Sequence, residues 1–139
     1  MSNKSVTVRE TARLAGVTPY VVRYYSRIGL IKPYKCRKNG YRLYDKGDVA
    51  QIIFIRKAKS LGYTLKEISK IISHSKTGAS PCPIVRRIIE SRINTNRRRL
   101  NEMLLLQDRM EKAVKHWKKM PDGIPDGNSI CILIETFSY

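Results

Sequence analysis

The chain has 139 residues, 28 of them Lys or Arg and 11 Asp or Glu, for a formal charge of +17 at neutral pH. Its length allows one or two small domains, and 42% hydrophobic with 28% charged residues is the composition of an ordinary folded protein, so the positive excess calls for a polyanion or an anionic surface. No apolar run approaches the ~18 residues of a membrane span, no signal-peptide core follows Met1, and three cysteines without a C-x-x-C pair argue against a disulfide framework or a self-contained zinc site. A cytoplasmic chain with reduced thiols is expected.

The first predicted helix is Val8–Ala15. Thr7 caps it, Glu10 stands at the capping-box position, and Gly16 stops it. Thr18 then caps a second helix with Pro19 in its first turn, running to about Ile28 before Gly29. Two short helices joined by a Gly-containing turn make a helix-turn-helix. Leu14, Val17, Val22 and Ile28 are the expected contacts between them; Tyr20, Arg23, Tyr24 and Arg27 are expected on the outer face of the second.

Pro33 ends the following apolar stretch. Asn39-Gly40 between basic and aromatic flanks predicts a small β-hairpin, a wing, because both turn positions accept positive φ. Asp48 is the expected cap of a third helix, Val49–Leu61, with Ile52, Ile53, Ile55 and Ala58 apolar. Thr64 and Glu67 form a capping box for a fourth, from Leu65 to about Ser73. A Ser/Gly/Pro-rich linker follows.

A long helical segment, about Ile84–Lys119, comes next. Ile89, Ile93, Asn96, Leu100, Met103, Gln107, Met110, Val114 and Trp117 recur in steps of four and three, the pattern of a coiled coil with two polar interruptions. A helix of roughly 50 Å would overhang a small four-helix unit, so a partner chain is the simpler home for this seam. The tail holds two tight turns, Pro121-Asp122-Gly123 and Pro125-Asp126-Gly127, and then the apolar run Ile130–Ile134, which is expected to pack back. The implied organisation is a DNA-binding domain at 1–75, a linker at 76–83, a dimerisation helix at 84–119 and a tail at 120–139. Of the charge excess, residues 1–75 carry +12 and residues 76–139 carry +5, and seven of the eight tyrosines lie in the first part. Arg forks and Tyr hydroxyls together suit phosphate oxygens.

Residues Thr7 to Pro33, with Ala15-Gly16-Val17-Thr18, Val22-Arg23-Tyr24-Tyr25 and Arg27-Ile28-Gly29-Leu30-Ile31-Lys32-Pro33, resemble the DNA-binding domain of MerR-type transcription regulators. So do Gly40-Tyr41-Arg42-Leu43-Tyr44 and the stretch from Ile55 through Leu61-Gly62-Tyr63-Thr64-Leu65. Pro81-Cys82-Pro83 and Ile130-Cys131 are similar to the metal-sensing branch. The resemblance implies a mainly α fold: a winged helix-turn-helix, a long helix in an antiparallel coiled coil, and a short C-terminal tail. It implies a homodimer on a palindromic operator in double-stranded promoter DNA, activating RNA polymerase by distorting DNA when an effector binds. Shape readout would then carry the signal.

The expected DNA contacts are Thr18, Tyr20, Arg23, Tyr24 and Arg27 from the helix-turn-helix, Tyr41 and Arg42 from the wing, and Tyr63 and Thr64 at the fourth helix. Tyr25 is divided between core and contact, and Tyr44 is expected to be structural. The candidate metal ligands are Cys82 at a helix N-terminus, where the dipole favours thiolate, and Cys131, with His116 third. Two thiolates suit a soft ion: Cu(I), Hg(II), Zn(II) or Cd(II). Relatives sensing mercury, zinc, cadmium or lead carry a further cysteine near the position of Trp117; this chain has none there. Cys36, between Lys35 and Arg37 in the wing, is expected to be incidental.

Two other readings share the charge. One is a regulator of the same fold answering an organic or redox signal without metal. The other is a sequence-nonspecific architectural DNA protein. An enzyme is not expected: no nucleophile–base pair, phosphate-cradling glycine loop or paired carboxylates stand out. Basic residues spread over a folded domain also disfavour a membrane-surface protein.

Overall fold

The first helix, α1 (Val8–Ala15), is set by its ends. The Thr7 hydroxyl accepts from the Glu10 amide at 3.3 Å. Gly16 turns left-handed at φ 71°, and the Val17 amide reaches back to the Ala12 carbonyl at 3.0 Å, closing the helix. A side chain at Gly16 would be strained by that φ, and its Cβ would come within 2.9 Å of Arg56 Nη1. The space is taken because Arg56 donates to the Ala15 carbonyl at 3.2 Å, a cation on a helix C-terminus.

The computed structural model describes residues 5–35 and 40–138, and these fall into two compact units, Met1–Val85 and Arg86–Tyr139. In the first unit α1 packs against α2 (Pro19–Arg27) and α3 (Lys46–Ser60), and α4 (Leu65–Ser75) packs against α3. Thr11, Ala12 and Ala15 are buried on one face of α1, opposite Val22 and Tyr25. These small residues let the helices approach closely. Leu14 and Ile28 are therefore not the contacts the sequence suggested: they are 47% and 43% exposed. Leu14 lies roughly a quarter-turn round α1 from Thr11–Ala15. Ile28 follows the last residue of α2, where the chain turns to bury Leu30 and Ile31 instead.

Strands β1 (Tyr34–Lys35) and β2 (Arg42–Leu43) pair antiparallel, with Tyr34 opposite Leu43. Asn39 of the expected turn, and Cys36, lie outside the described residues; Gly40 has φ 71°. Beyond β2, Tyr44 bridges to Val6 with two 2.8 Å bonds. Tyr44 is fully buried, as its structural role required. Its hydroxyl lies 2.8 Å from Ser26 Oγ, which gives its own proton to the Val22 carbonyl. Tyr44 therefore donates, tying the base of the wing to α2.

Helix α3 starts earlier than predicted. Asp45, not Asp48, is the cap: its carboxylate accepts from the Asp48 amide at 2.9 Å, and Asp48 accepts from the Asp45 amide at 3.0 Å. The reciprocal pair satisfies two amides that a cap at Asp48 would leave open. Ile52, Ile55 and Ala58 are buried as expected, beside Ile68 and Ile71 of α4.

Helix α5 (Cys82–Trp117) runs for 36 residues, which is about 54 Å. It begins and ends two residues earlier than predicted. Pro83 is accommodated in its first turn, where no amide is needed. In the second unit every residue from 96 to 112 is exposed. The tail folds back on the helix end through α6 (Ile132–Glu135), and the Trp117 indole donates to the Leu133 carbonyl at 2.9 Å. Much of the apolar run stays open, with Ile130 87% exposed. No helix among the described residues is long and apolar enough to cross a membrane.

Candidate nucleic-acid interface

A cleft of about 860 Å³ opens in the first unit. Thr7, Val8 and Arg9 at the start of α1 form one wall, Arg23 of α2 another, and Gly40, Tyr41 and Arg42 at the wing a third. Arginines from three separate elements thus line one space. A guanidinium fork matches a phosphate in two bonds. The first-turn amides of α1 add donors and the positive end of a helix dipole.

The sequence anticipated Arg23, Tyr41 and Arg42, and the fold brings these three together. Arg9 was missed, although a signal existed. An arginine in the first turn of a helix sits where the dipole disfavours a cation, and that unfavourable placement is the signal.

The other expected contacts do not line this cleft. Tyr20 is 68% exposed near the start of α2, and Thr18 is exposed while its hydroxyl caps that helix, accepting from the Val21 amide at 3.3 Å. The Arg27 guanidinium lies 5.5 Å from the centre of the half-buried Tyr24 ring, a cation–π contact that fixes both side chains. Tyr25, the alternative of that adjacent pair, belongs to the core, and burial pushes its phenol pKa up. Thr64 is exposed and caps α4 through a complete capping box. Tyr63 is a correction: it is buried, and its hydroxyl donates to the Val85 carbonyl at 2.7 Å. Its neighbour Thr64 needs an extended backbone to cap α4, and the Tyr63 side chain lies inward, where its hydroxyl is engaged at the start of α5.

The two described thiols stand on different elements. Cys82 is exposed at the first position of α5, its amide donating to Ser80 Oγ at 3.3 Å, while Cys131 is half-buried at the start of α6. His116 is exposed near the end of α5. Among the described residues no three His, Cys, Asp or Glu side chains are grouped to hold a metal. A three-ligand site within one chain therefore does not fit these residues.

A helix-turn-helix, a basic wing and an arginine cleft facing outward define a DNA-binding protein of the winged class. The comparisons narrow this. The pattern described as MerR HTH family regulatory protein matches residues 6–75, and that described as MerR, DNA binding, matches residues 49–113. The chain belongs to the MerR family of DNA-binding transcription regulators and is not an enzyme. It is 32% identical to an uncharacterised HTH-type transcriptional regulator of Synechocystis, over 91% of this chain and 82% of that one. It is 26% identical to a "probable heavy metal-dependent transcriptional regulator" of Haemophilus influenzae, over 93% and 96%. Its fold is similar to that of a lead(II)-bound transcription regulator from Ralstonia metallidurans, at TM-score 0.73 and 20% identity over 94% and 98% of the two chains.

Proposed function

We propose that this regulator acts as a homodimer on a palindromic promoter operator and activates transcription by distorting that DNA for RNA polymerase when an effector binds. The observation that carries the reading is the cleft of Arg9, Arg23 and Arg42. It spans both the helix that enters a groove and the wing beside it, so one unit would grip backbone on either side of the base edges it reads. The exposed apolar face of α5, with Leu100 at 62% and Met103 at 67%, supports a second copy. The organisation as a DNA-binding domain, linker, dimerisation helix and tail belongs to the same reading, as does a cytoplasmic setting.

For the effector, the reading keeps thiol chemistry. Cys82 is exposed, so soft ions and oxidants can reach its sulfur. Cys131 is the second thiol, and His116 the remaining candidate. A soft metal ion would be bound by thiolates; the part of the chain is to present them reduced, one at a helix start and one at the tail. The organic alternative draws on a cavity of about 390 Å³ in the second unit, walled by Leu106, Met110, Ala113, Val114, Trp117, Ile134 and Phe137, with Arg109 the one charged residue.

Selection from a random duplex pool tests the DNA reading. The expected winners are inverted repeats bound about 10³-fold or more tighter than random duplex at fixed salt. Equal affinity for all duplexes would leave an architectural protein. Titration of reduced protein with Cu(I), Hg(II), Zn(II) and Cd(II), beside a Cys82→Ser/Cys131→Ser variant, tests the effector. Thiolate-to-metal absorption lost in the variant is expected; identical spectra would move the search to organic or redox signals.

A further inference from the structure

The seam of α5 contains two amides, Asn96 and Gln107, eleven residues apart and both exposed. Any purely apolar surface laid on that seam would strip them of water and offer nothing in return. The resemblance implies antiparallel pairing of two copies on this seam; within it we infer one register, in which Asn96 of each protomer meets the partner's Gln107. This rests on the homodimer reading above and adds the alignment to it.

Two pairings of identical helices match amide with amide. In the parallel one, Asn96 faces the partner's Asn96. In the antiparallel one, Asn96 faces the partner's Gln107, and the two-fold axis then falls between Leu100 and Met103. Charge separates them. From Cys82 to Arg99, α5 carries six arginines and one glutamate; from Leu100 to Trp117 it carries three basic and three acidic residues, leaving His116 neutral. Parallel pairing stacks the basic half on itself and sets Arg86 against the partner's Arg86. Antiparallel pairing lays the basic half on the balanced half, and Arg86 meets the face of the partner's Trp117, a favourable cation–π partner.

The remaining layers of this register are apolar. Ile89 meets the partner's Val114, Ile93 meets the partner's Met110, and Leu100 meets the partner's Met103. A slide of one heptad would bring Arg97 to the partner's Glu111 at the exposed edge. It would also set Asn96 on the partner's Val114 and Gln107 on the partner's Met103, on both sides of the axis. Exposed ion pairs contribute little, and buried unpartnered amides cost more. A slide the other way sets Asn96 on the partner's Leu100. The chain prepares Gln107 for its partner: its side-chain amide donates to Glu111 at 3.0 Å on the same helix, which leaves its carbonyl oxygen to accept from Asn96. The polar layer thus fixes where the two-fold axis lies, and with it which chains can pair.

The test is disulfide trapping in the full chain carrying Cys36→Ser, Cys82→Ser and Cys131→Ser, with Asn96 and Gln107 intact. Ile93→Cys/Met110→Cys together are expected to give a cross-linked dimer at least tenfold faster than either substitution alone. Fast cross-linking of either single variant would establish parallel pairing and overturn the inference. So would faster trapping of Ile93→Cys/Met103→Cys or Leu100→Cys/Met110→Cys, which report the slides. Adding Asn96→Leu/Gln107→Leu is expected to reduce the Ile93/Met110 cross-link and raise the slid ones; an unchanged pattern would remove the polar layer from its role. Sedimentation of the same proteins separates the two levels: a dimer trapped in another register overturns this alignment alone, whereas a monomer at micromolar concentration overturns the homodimer reading too.

Discussion

Up to Val85 the chain builds a buried apolar core; beyond it, it displays most of its apolar residues. Of the fourteen buried hydrophobic residues described, thirteen lie in the first unit and only Ala113 in the second. Leu100, Met103, Leu104 and Leu105 are each more than 60% exposed. Both units are rich in helix, so helix content does not distinguish them. What differs is who completes the packing. Capping boxes, short helices and small contact residues let the first unit close on itself. The 36-residue helix of the second unit leaves its apolar face open, and under the homodimer reading proposed above its stability would depend on concentration.

The largest expected effect follows from that difference. Leu100→Asp places a charge on the seam and should abolish dimerisation, lowering operator affinity by about 10²–10⁴-fold through lost bivalency. The first unit should keep its hydrogen-exchange protection, because Leu100 lies outside it and is 62% exposed. Loss of protection in residues 6–75 would show that the two regions are not independent. Ile55→Ala, at a fully buried site, makes the reverse cut. It should cost the first unit about 2–5 kcal/mol, read by denaturant unfolding, while dimerisation survives.

Within the first unit the cleft can be divided further. Arg23→Ala should cost about 1–3 kcal/mol of binding and change the preferred sequence. Arg9→Ala and Arg42→Ala should weaken binding to all duplexes alike and each reduce the salt slope by about one. Competition binding at several salt concentrations reads both quantities, and a change of preference in Arg9→Ala would move it from backbone grip to base reading. Trp117→Phe tests the second unit in the same way. It removes the indole bond to Leu133, worth about 0.5–1.5 kcal/mol. Faster exchange is expected in residues 121–138 alone.

How much of this was legible depends on which interaction decides each feature. Helix α1 and the start of α2 follow from caps written locally as Thr7, Thr18 and Pro19, and the structure keeps them. The seam of α5 was also readable, because a repeat of four and three depends on no other element. Contacts set by approach distance were not. Leu14 and Ile28 are large and apolar, yet the residues that α1 buries are Thr11, Ala12 and Ala15. Tyr63 carries the same aromatic signature as Tyr41 but spends its hydroxyl on Val85, a carbonyl 22 residues away. Arg9 needed knowledge that the wing and α2 converge on the first turn of α1. The tail turns were visible in Pro121-Asp122-Gly123 and Pro125-Asp126-Gly127, whereas Trp117 as its anchor was not.

The smallest expected effect concerns Asp48, whose two roles oppose each other. It completes the capping box of α3, and burial, the largest influence on it, pushes its carboxyl pKa up from the ordinary 3.8. A carboxyl raised on folding favours the protonated form in the folded state. Its contribution is fully present below the unfolded pKa and is lost as pH rises through the folded one. Asp48→Asn removes that titration and keeps an oxygen to accept from the Asp45 amide. The melting temperature of the first unit should therefore fall for the parent relative to the variant between about pH 3 and 6, with the variant equal or slightly higher at neutral pH. A parent that instead gains on the variant over this range would show that the charge at the start of α3 outweighs its burial, as the helix dipole alone would predict.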